Sequence, residues 1–525
     1  MTHRPPSRVR SPVLQLTLRL IFQPRSQRFL EPRLHPLLLA LPLLLSACAV
    51  GPSYVRPTVE APAAYKENAG WTDWTGWTGW KQAQPQDATL RGPWWETYAD
   101  PLLDSLVAQV SVSNQNLAQA DARFREARAL VQSARAGYFP TIGANLSSSR
   151  SSGRSSQNTT TTTTTTGVTT ASQSGPSNSN TLTLDASWEI DLWGRVQRTV
   201  EAQRAGAQAS AGDLEATRLS AQAQLAQTYF ALRFIDSQAD LLQRTLADYQ
   251  RSVQLTQNQY DAGIIAKANL ILAQTQLKTT QAQALDLGVQ RAQFEHAIAL
   301  LVGKAPADFS ISHAQLAAAV PVIPVSMPSD LLERRPDVAA AERRVAAANA
   351  QIGIAKAAYF PRLSLSATGG AQSSTLGNLL SLPNRFWSLG PALAATLFDG
   401  GVRRAGVEQA SAAYDGTVAA YRQTVLTGFQ EVEDNLAALR ILEQEAAVQD
   451  EALQLSRRSV ELITNQYKAG IVTYLNVIQV QASALTSERA ALDILNRRLA
   501  ASVLLVKALG GGWNAAALPS TAPVK

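Results

Sequence analysis

The chain has 525 residues, with 47 Lys and Arg against 40 Asp and Glu, a formal net charge of +7. That excess is no nucleic-acid signature: residues 1–47 hold seven Arg and one Glu, a net of +6, so the remaining 478 residues sit near +1. A single Cys excludes an intrachain disulfide, and an Ala- and Gln-rich chain with only 6 % aromatics suits long helices.

The first element is an address. Leu37 to Leu45 is an apolar run broken by Pro42, too short to span a membrane as a mature helix. Leu45-Ser46-Ala47-Cys48 follows, a branched apolar residue and two small ones before a thiol, which resembles a bacterial lipobox. Residues 1–47 are read as a lipoprotein signal peptide and Cys48 as the acylated mature N-terminus. Ala49, where an Asp implies inner-membrane retention, implies the outer membrane. Residues 48–100 form an anchored arm rich in Pro, Gly and Trp, in which Trp71, Trp74, Trp77 and Trp80 recur every third residue as a low-complexity insertion.

Asp100-Pro101 then opens a helix to about Ala136. Ile142, Ala144 and Leu146 alternate with Gly143, Asn145 and Ser147, the period of a strand. A polar loop, Ser147 to Asn180, includes the Thr159–Thr166 run. Thr181 to Leu192 alternates strictly: Leu182, Leu184, Ala186, Trp188, Ile190 and Leu192 on one face, Thr and acidic residues on the other. A sheet with one face on a soluble core reads the same way, but 9–12 residues with a Trp also suits a tilted membrane-barrel strand.

From Gly194 to Tyr260 there is no Pro, and at about 1.5 Å per residue a helix here reaches roughly 100 Å. Ile235, Ala239, Leu242, Leu246, Tyr249, Val253, Thr256 and Tyr260 form a heptad-like seam. Gly263 marks a reversal, and a helix of about 38 residues runs to Leu301. Pro321, Pro324 and Pro328 break the chain, and Ser329 to Ala358 supplies another helix.

The pattern then repeats. Leu363, Leu365 and Ala367 alternate with Ser364, Ser366 and Thr368; after a loop, Gln372 to Pro383, the residues Trp387, Leu389, Leu393 and Leu397 share one face of a fourth strand. The seam returns 207 positions on as Leu442, Ala446, Gln449, Leu453, Ser456, Val460, Ile463 and Tyr467, and Ile471 to Leu509 forms the last helix. Tyr260-Asp-Ala-Gly-Ile264 returns as Tyr467-Lys-Ala-Gly-Ile471, and Gly303 as Gly510, at a shift of 207; Ala136-Gly-Tyr-Phe-Pro140 returns as Ala357-Ala-Tyr-Phe-Pro361 at 221. One unit is duplicated, over residues 101–320 and 321–510, with a tail at 511–525. By chain order, the helix ending at Leu301 and that ending at Ala358 would stack along one long helix, and the last helix would stack with the first.

Four membrane strands cannot close a barrel, and an open edge in lipid leaves backbone groups unpaired. Several copies must therefore share one barrel: eight strands from two leave little lumen, twelve from three leave a pore.

In this light the chain resembles the outer-membrane efflux proteins, TolC-like, in the lipoprotein branch typified by OprM and NodT. The residues that carry the resemblance are Leu45-Ser-Ala-Cys48, Trp94-Trp95 with Asp100-Pro101, both Tyr-Phe-Pro strand starts, Asp191-Leu-Trp-Gly-Arg195, Leu397-Phe-Asp-Gly-Gly401, Leu332-Glu-Arg-Arg-Pro-Asp337 and both Tyr-x-Ala-Gly-Ile turns. The resemblance implies an α+β membrane protein: a homotrimer with a twelve-stranded β-barrel continued by a periplasmic α-helical tunnel. It implies a passive exit duct in the outer membrane of a Gram-negative bacterium, serving an inner-membrane pump of the resistance-nodulation-division type through a periplasmic adaptor. The adaptor would meet the helical turns Ala262-Gly263-Ile264 and Ala469-Gly470-Ile471. Family members carry Asp at the pore mouth; the matching positions here are Asn476 and Gln479, with Asn269 in the first repeat, so amide bonds with Tyr260 and Tyr467 would hold the constriction instead.

Two rival readings remain: a periplasmic adaptor lipoprotein, which needs neither two hairpins nor four strands, and a structural trimeric lipoprotein that conducts nothing. No catalytic or cofactor motif is present. Beyond residue 47 the histidines are His296 and His313, and there is neither a His-Glu-x-x-His pair nor a phosphate-binding Gly loop. No enzyme, metal or nucleic-acid role is expected.

Overall fold

The computed structural model describes residues 50–62, 64–67, 93–152, 163–164, 167–168, 177–323 and 334–513. Cys48 and the leader, the Trp71–Trp80 series, Pro324 and Pro328 lie outside them.

The expected helix over 101–136 is two helices, α1 (Pro101–Ser113) and α2 (Gln115–Ala136). Asp100 caps α1, accepting from the Leu102 and Leu103 N–H groups, with Pro101 at the first helical position. The break is at Asn114, whose backbone is extended. Its Oδ1 accepts from the Leu117 N–H at 3.1 Å and its Nδ2 donates to the Leu301 carbonyl at 2.8 Å. A short polar side chain that satisfies backbone groups on both sides outcompetes helix continuation.

Two 67-residue helices, α3 (Arg195–Asp261) and α6 (Val402–Lys468), are about 100 Å long each. α4 (Lys267–Leu301) and α7 (Tyr474–Ala508) return beside them, 35 residues each, and α5 (Pro336–Ala357) matches α2 at 22. The duplication is thus literal in helix length. α3 packs against α2 and α5 toward the sheet and against α4 and α7 toward the turns; α6 packs against α5 and α7.

The stacking differs from chain order. α4 ends against the α1–α2 break, not against α5: a Cβ on Gly303 would lie 2.2 Å from the Ser113 carbonyl oxygen. α7 ends against the start of α5: a Cβ on Gly510 would lie 2.2 Å from the Arg334 carbonyl oxygen, and the Arg335 guanidinium donates to the Ala508 carbonyl at 3.2 Å. Asn114 and Arg335 are equivalent positions, 221 apart, reaching equivalent carbonyls. Both glycines have positive φ, +70° and +92°, where any side chain would be strained as well as blocked. The loop joining α4 to α5 therefore crosses from one stack to the other, which the sequential reading missed.

Around these joints lies the core. Trp94, Tyr98, Leu103, Val107 and Val110 pack on Leu225, Tyr229, Phe230 and Leu232 of α3 and on Ile298, Leu499 and Val503. A second cluster joins Tyr65, Val338 and Val345 to Tyr421, Val425, Val432 and Leu436 of α6 and to Leu505 and Leu509. The seam holds: Ile235, Leu242, Tyr249 and Thr256 are buried, and polar Gln449 donates to the Ser487 carbonyl at 3.0 Å.

Four strands form one antiparallel sheet in chain order, β1 (Thr141–Ser151), β2 (Ser177–Ile190), β3 (Arg362–Ser373) and β4 (Arg385–Ala394). β1 to β3 run further into the expected loops than the alternation indicated, and within the first loop Thr163–Thr164 pairs with Gly167–Val168. β2 ends at Ile190, short of Leu192. β4 ends at Ala394, so Leu397 belongs to the turn into α6 rather than to the strand. Among the described residues no helix is long and apolar enough to cross a membrane.

Candidate functional site

Register decides what the sheet can do. Directly opposed residues share a face: the rungs Ile142–Ala186–Ala367–Leu389 and Ala144–Leu184–Gly369–Trp387 are apolar across the sheet, and Leu146–Leu182–Ala371 is apolar until it ends on Arg385 of β4. Trp188–Leu365–Pro391 and Ile190–Leu363–Leu393 continue that face. The alternate rungs carry Asn145, Thr183, Asp185, Ser187, Ser364, Ser366, Thr368 and Ser388, with Phe386 the one large apolar side chain among them. A soluble sheet would cover its apolar face. Here it stands open: Ile142 is 76 % exposed, Leu389 64 % and Trp387 81 %. An apolar side this large left mostly uncovered by its own chain fits a hydrocarbon environment, with the polar side toward water. β1 and β4 are both edges with one unpaired side.

The foot of the sheet is aromatic. Both Tyr-Phe-Pro motifs sit where helix turns into strand. Trp188 Nε1 donates to the Tyr138 carbonyl at 3.0 Å, Trp193 Nε1 donates to the Pro361 carbonyl at 2.7 Å, and the Trp193 ring stacks on Phe360 at 4.8 Å. Such amphipathic rings suit the level of lipid headgroups. The arm begins at this level: the Val50 N–H donates to the Trp193 carbonyl at 3.1 Å, and Arg198 reaches the Val50 carbonyl at 3.3 Å. It then descends past Asn349, which donates to the Pro52 carbonyl, and past Glu342, which accepts from Tyr54, to Glu433 and Arg440 of α6.

At the far end each hairpin closes on a left-handed glycine, Gly263 at φ +73° and Gly470 at φ +74°. The Ile264 N–H donates back to the Gln259 carbonyl and the Ile471 N–H to the Gln466 carbonyl, both at 2.9 Å. Ala262 and Ala469 are exposed beside them, and Ile264 and Ile471 project outward, 71 % and 72 % exposed.

Tyr467 joins the two hairpins. It is buried, its hydroxyl donates to Gln259 Oε1 at 2.5 Å, and its ring lies 5.4 Å from that of Tyr474, with Val477, Val253 and Ala273 around them. Burial raises both tyrosine hydroxyls above the ordinary range, against smaller opposing bonds to Thr256 and Ser252, so both remain protonated. The other expected constriction residues are not joined to this cluster. Asn476 is exposed and its Oδ1 accepts from Thr473 of its own turn at 2.8 Å; Gln479 is exposed; Asn269 and Tyr260 are half-buried; and among the described residues no hydrogen bond carries any of the four to another helix. Gln259 and Tyr474 were missed. Their only sequence signal was adjacency to the two Tyr-x-Ala-Gly-Ile motifs.

His296 is exposed on α4. His313 belongs to a charged clasp that fastens the crossing segment after α4: Asp236, wholly buried, accepts from Arg291 at 2.8 Å and from Arg233 at 3.2 Å, while His313 Nε2 meets Asp240 at 2.8 Å. Those guanidiniums donate in turn to the Ser312 and Ile311 carbonyls. The clasp is structural, and no group of three or more metal-ligating side chains occurs among the described residues.

The sequence profile of the family described as "Outer membrane efflux protein" matches residues 106–304 and 327–511. The toluene efflux pump outer membrane protein TtgF of Pseudomonas putida is 29 % identical over 490 residues, spanning 93 % of this chain and 99 % of that protein. The pyoverdine export outer membrane protein OpmQ of Pseudomonas aeruginosa is also 29 % identical, over 473 residues, 90 % of this chain and 95 % of the relative. The solved structure of the outer-membrane channel OprN superposes with a TM-score of 0.77 at 29 % identity, covering 89 % of this chain and all of that one.

Proposed function

The chain belongs to the outer membrane efflux protein family, and from that premise we propose that it is the passive exit duct of a tripartite efflux pump. The single observation that carries the reading is the two-faced sheet with both edges open. A sheet that is apolar outside, polar inside and unpaired at β1 and β4 needs further copies to finish its ladder. Three copies give twelve strands, wide enough for a water-filled lumen. The paired 67-residue helices and their stacked partners would continue the wall as a second cylinder below the membrane.

In this reading the aromatic foot marks the periplasmic surface of the outer membrane. Val50, two residues from Cys48, lies at that foot, which supports Cys48 as the acylated N-terminus. The exposed turns around Gly263 and Gly470 offer Ile264 and Ile471 to a periplasmic adaptor, which links the duct to an inner-membrane pump of the resistance-nodulation-division type. The Tyr467–Gln259 bond holds the tip of each subunit together until the adaptor spreads it, with Asn476, Gln479, Asn269 and Tyr260 lining the mouth around it. The duct does no chemistry; the pump supplies the energy and chooses the cargo.

The test is conductance. Purified protein in planar bilayers should give discrete single-channel currents, and native mass should give three copies. A monomer with full strand content, or a trimer that never conducts in any tip variant, would reject the duct in favour of a structural lipoprotein.

A further inference from the structure

Charge on the water side of the sheet is unevenly placed. Among the described strand residues of that face, the charged side chains are Asp185, Glu189 and Arg362. Glu189 is neutralised at the foot: Arg195, at the start of α3, grips its two oxygens at 2.8 and 2.7 Å, and Arg362 lies next to the Ser364 rung that Glu189 occupies. Asp185 stands four residues further up β2, about 13 Å along the strand. That exceeds the screening length of about 8 Å in physiological salt, so there the cations at the foot leave its field largely uncancelled; at about 0.01 M, where the length is about 30 Å, they offset part of it.

Asp185 is also held in place. Thr183 Oγ1 donates to its Oδ2 at 2.9 Å and Thr368 Oγ1, directly across on β3, donates to its Oδ1 at 2.8 Å. On its other side the opposed residue is Gly143, with no atom within 4 Å of where a side chain would begin. The carboxylate is therefore fixed by hydroxyls and open to solvent.

We infer that Asp185, repeated by each subunit, forms a fixed carboxylate collar midway up the barrel that favours cations and disfavours anions in transit, making it a specificity-determining residue of the duct. The inference rests on the three-subunit barrel proposed above. A barrel of twelve strands about 4.8 Å apart and tilted by roughly 40° is about 24 Å across between backbones, which leaves each carboxylate about 8–9 Å from the axis. Three unit charges at that distance in water, offset by one net cation per subunit at the foot, concentrate a monovalent cation at the axis roughly threefold at 0.01 M salt, about twofold at 0.15 M and hardly at all at 1 M. The second repeat puts Ala392 at the position equivalent to Asp185, so each subunit contributes one charge.

The experiment is a zero-current potential across planar bilayers under a KCl gradient, measured at about 0.01 M and at about 1 M. It compares the natural chain with Asp185→Asn and Asp185→Lys, all on a Tyr467→Phe background so that the tip is not the limiting segment. Asn keeps the shape and a hydrogen-bonding partner for both threonines, and trimers on gels report assembly. The expected result is cation preference at low salt that falls severalfold in Asp185→Asn, reverses in Asp185→Lys and vanishes for all three at high salt. Equal potentials from three conducting proteins overturn the collar while leaving the duct intact. No channel currents from any of the three reject the duct itself, and the collar with it.

Discussion

Removing one hydroxyl should loosen the tip. Tyr467→Phe keeps the ring against Tyr474 and deletes only the donor to Gln259 Oε1, a 2.5 Å bond between hairpins 208 positions apart. A neutral bond of this kind is worth about 0.5–1.5 kcal/mol net. Gln259 keeps access to water, so no buried group is stranded and the lower half of that range applies to each subunit. In a ring of three whose tips open together, the contributions add to about 1.5–3 kcal/mol, or roughly a ten- to hundredfold rise in the ratio of open to closed channels. The assay is the open fraction in single-channel records, with trimer yield as the control. Gln259→Leu should give the same rise, and the double variant no more than either single one, because both remove one bond. Asn476→Ala should do far less, since that amide is bound within its own turn. An open fraction within about twofold of the natural channel, with the two substitutions adding independently, would refute the latch.

Other consequences are more local. Arg335 is buried and binds Asp337, Glu431 and the Ala508 carbonyl at once. Arg335→Ala should cost about 1.5–3 kcal/mol, discounted toward the lower figure because the two carboxylates are 38 % and 40 % exposed, and Arg335→Lys should recover only part of the thermal stability, an ammonium being unable to span all three acceptors. Gly470→Ala meets no atom within 4 Å but must hold φ +74°, so it should cost about 1 kcal/mol and speed amide exchange at Ile471 without disturbing the rest of α6. Mass spectrometry should find Cys48 as an acylated N-terminus, and Cys48→Ser should remain largely in the membrane fraction, because barrel strands anchor more firmly than one lipidated residue.

The strand faces were legible because apolar and polar residues alternate without exception from Leu182 to Ile190 and from Leu363 to Thr368. The strand ends were not. Ser148 to Ser151 and Ser177 to Asn180 offer no contrast between faces, so the ladder continues where the pattern falls silent. The long helices declared themselves by lacking Pro. The break at Asn114 lacked both Pro and Gly, and only its equivalence to Arg335, one residue before Pro336, marked it. The stacking was not legible because chain order is not spatial order: the end contacts at Gly303 and Gly510 pair helices far apart in sequence. At the tip, the repeated motif marks the position of Tyr467 but nothing local marks its partner Gln259. A motif identifies a turn, but a partner on another hairpin is set by how two long helices register, which no local pattern encodes.

The open edges of the sheet have a genetic corollary. Each subunit offers one unfinished strand on its left and one on its right, and under the three-subunit reading a ring closes only when every seam is sound. A cell that makes sound and edge-damaged chains in equal amounts, mixing freely, would then complete only about one ring in eight from sound chains alone. A single damaged allele, such as a Pro placed in β1, would act as a dominant poison although its product differs from the natural chain at one position.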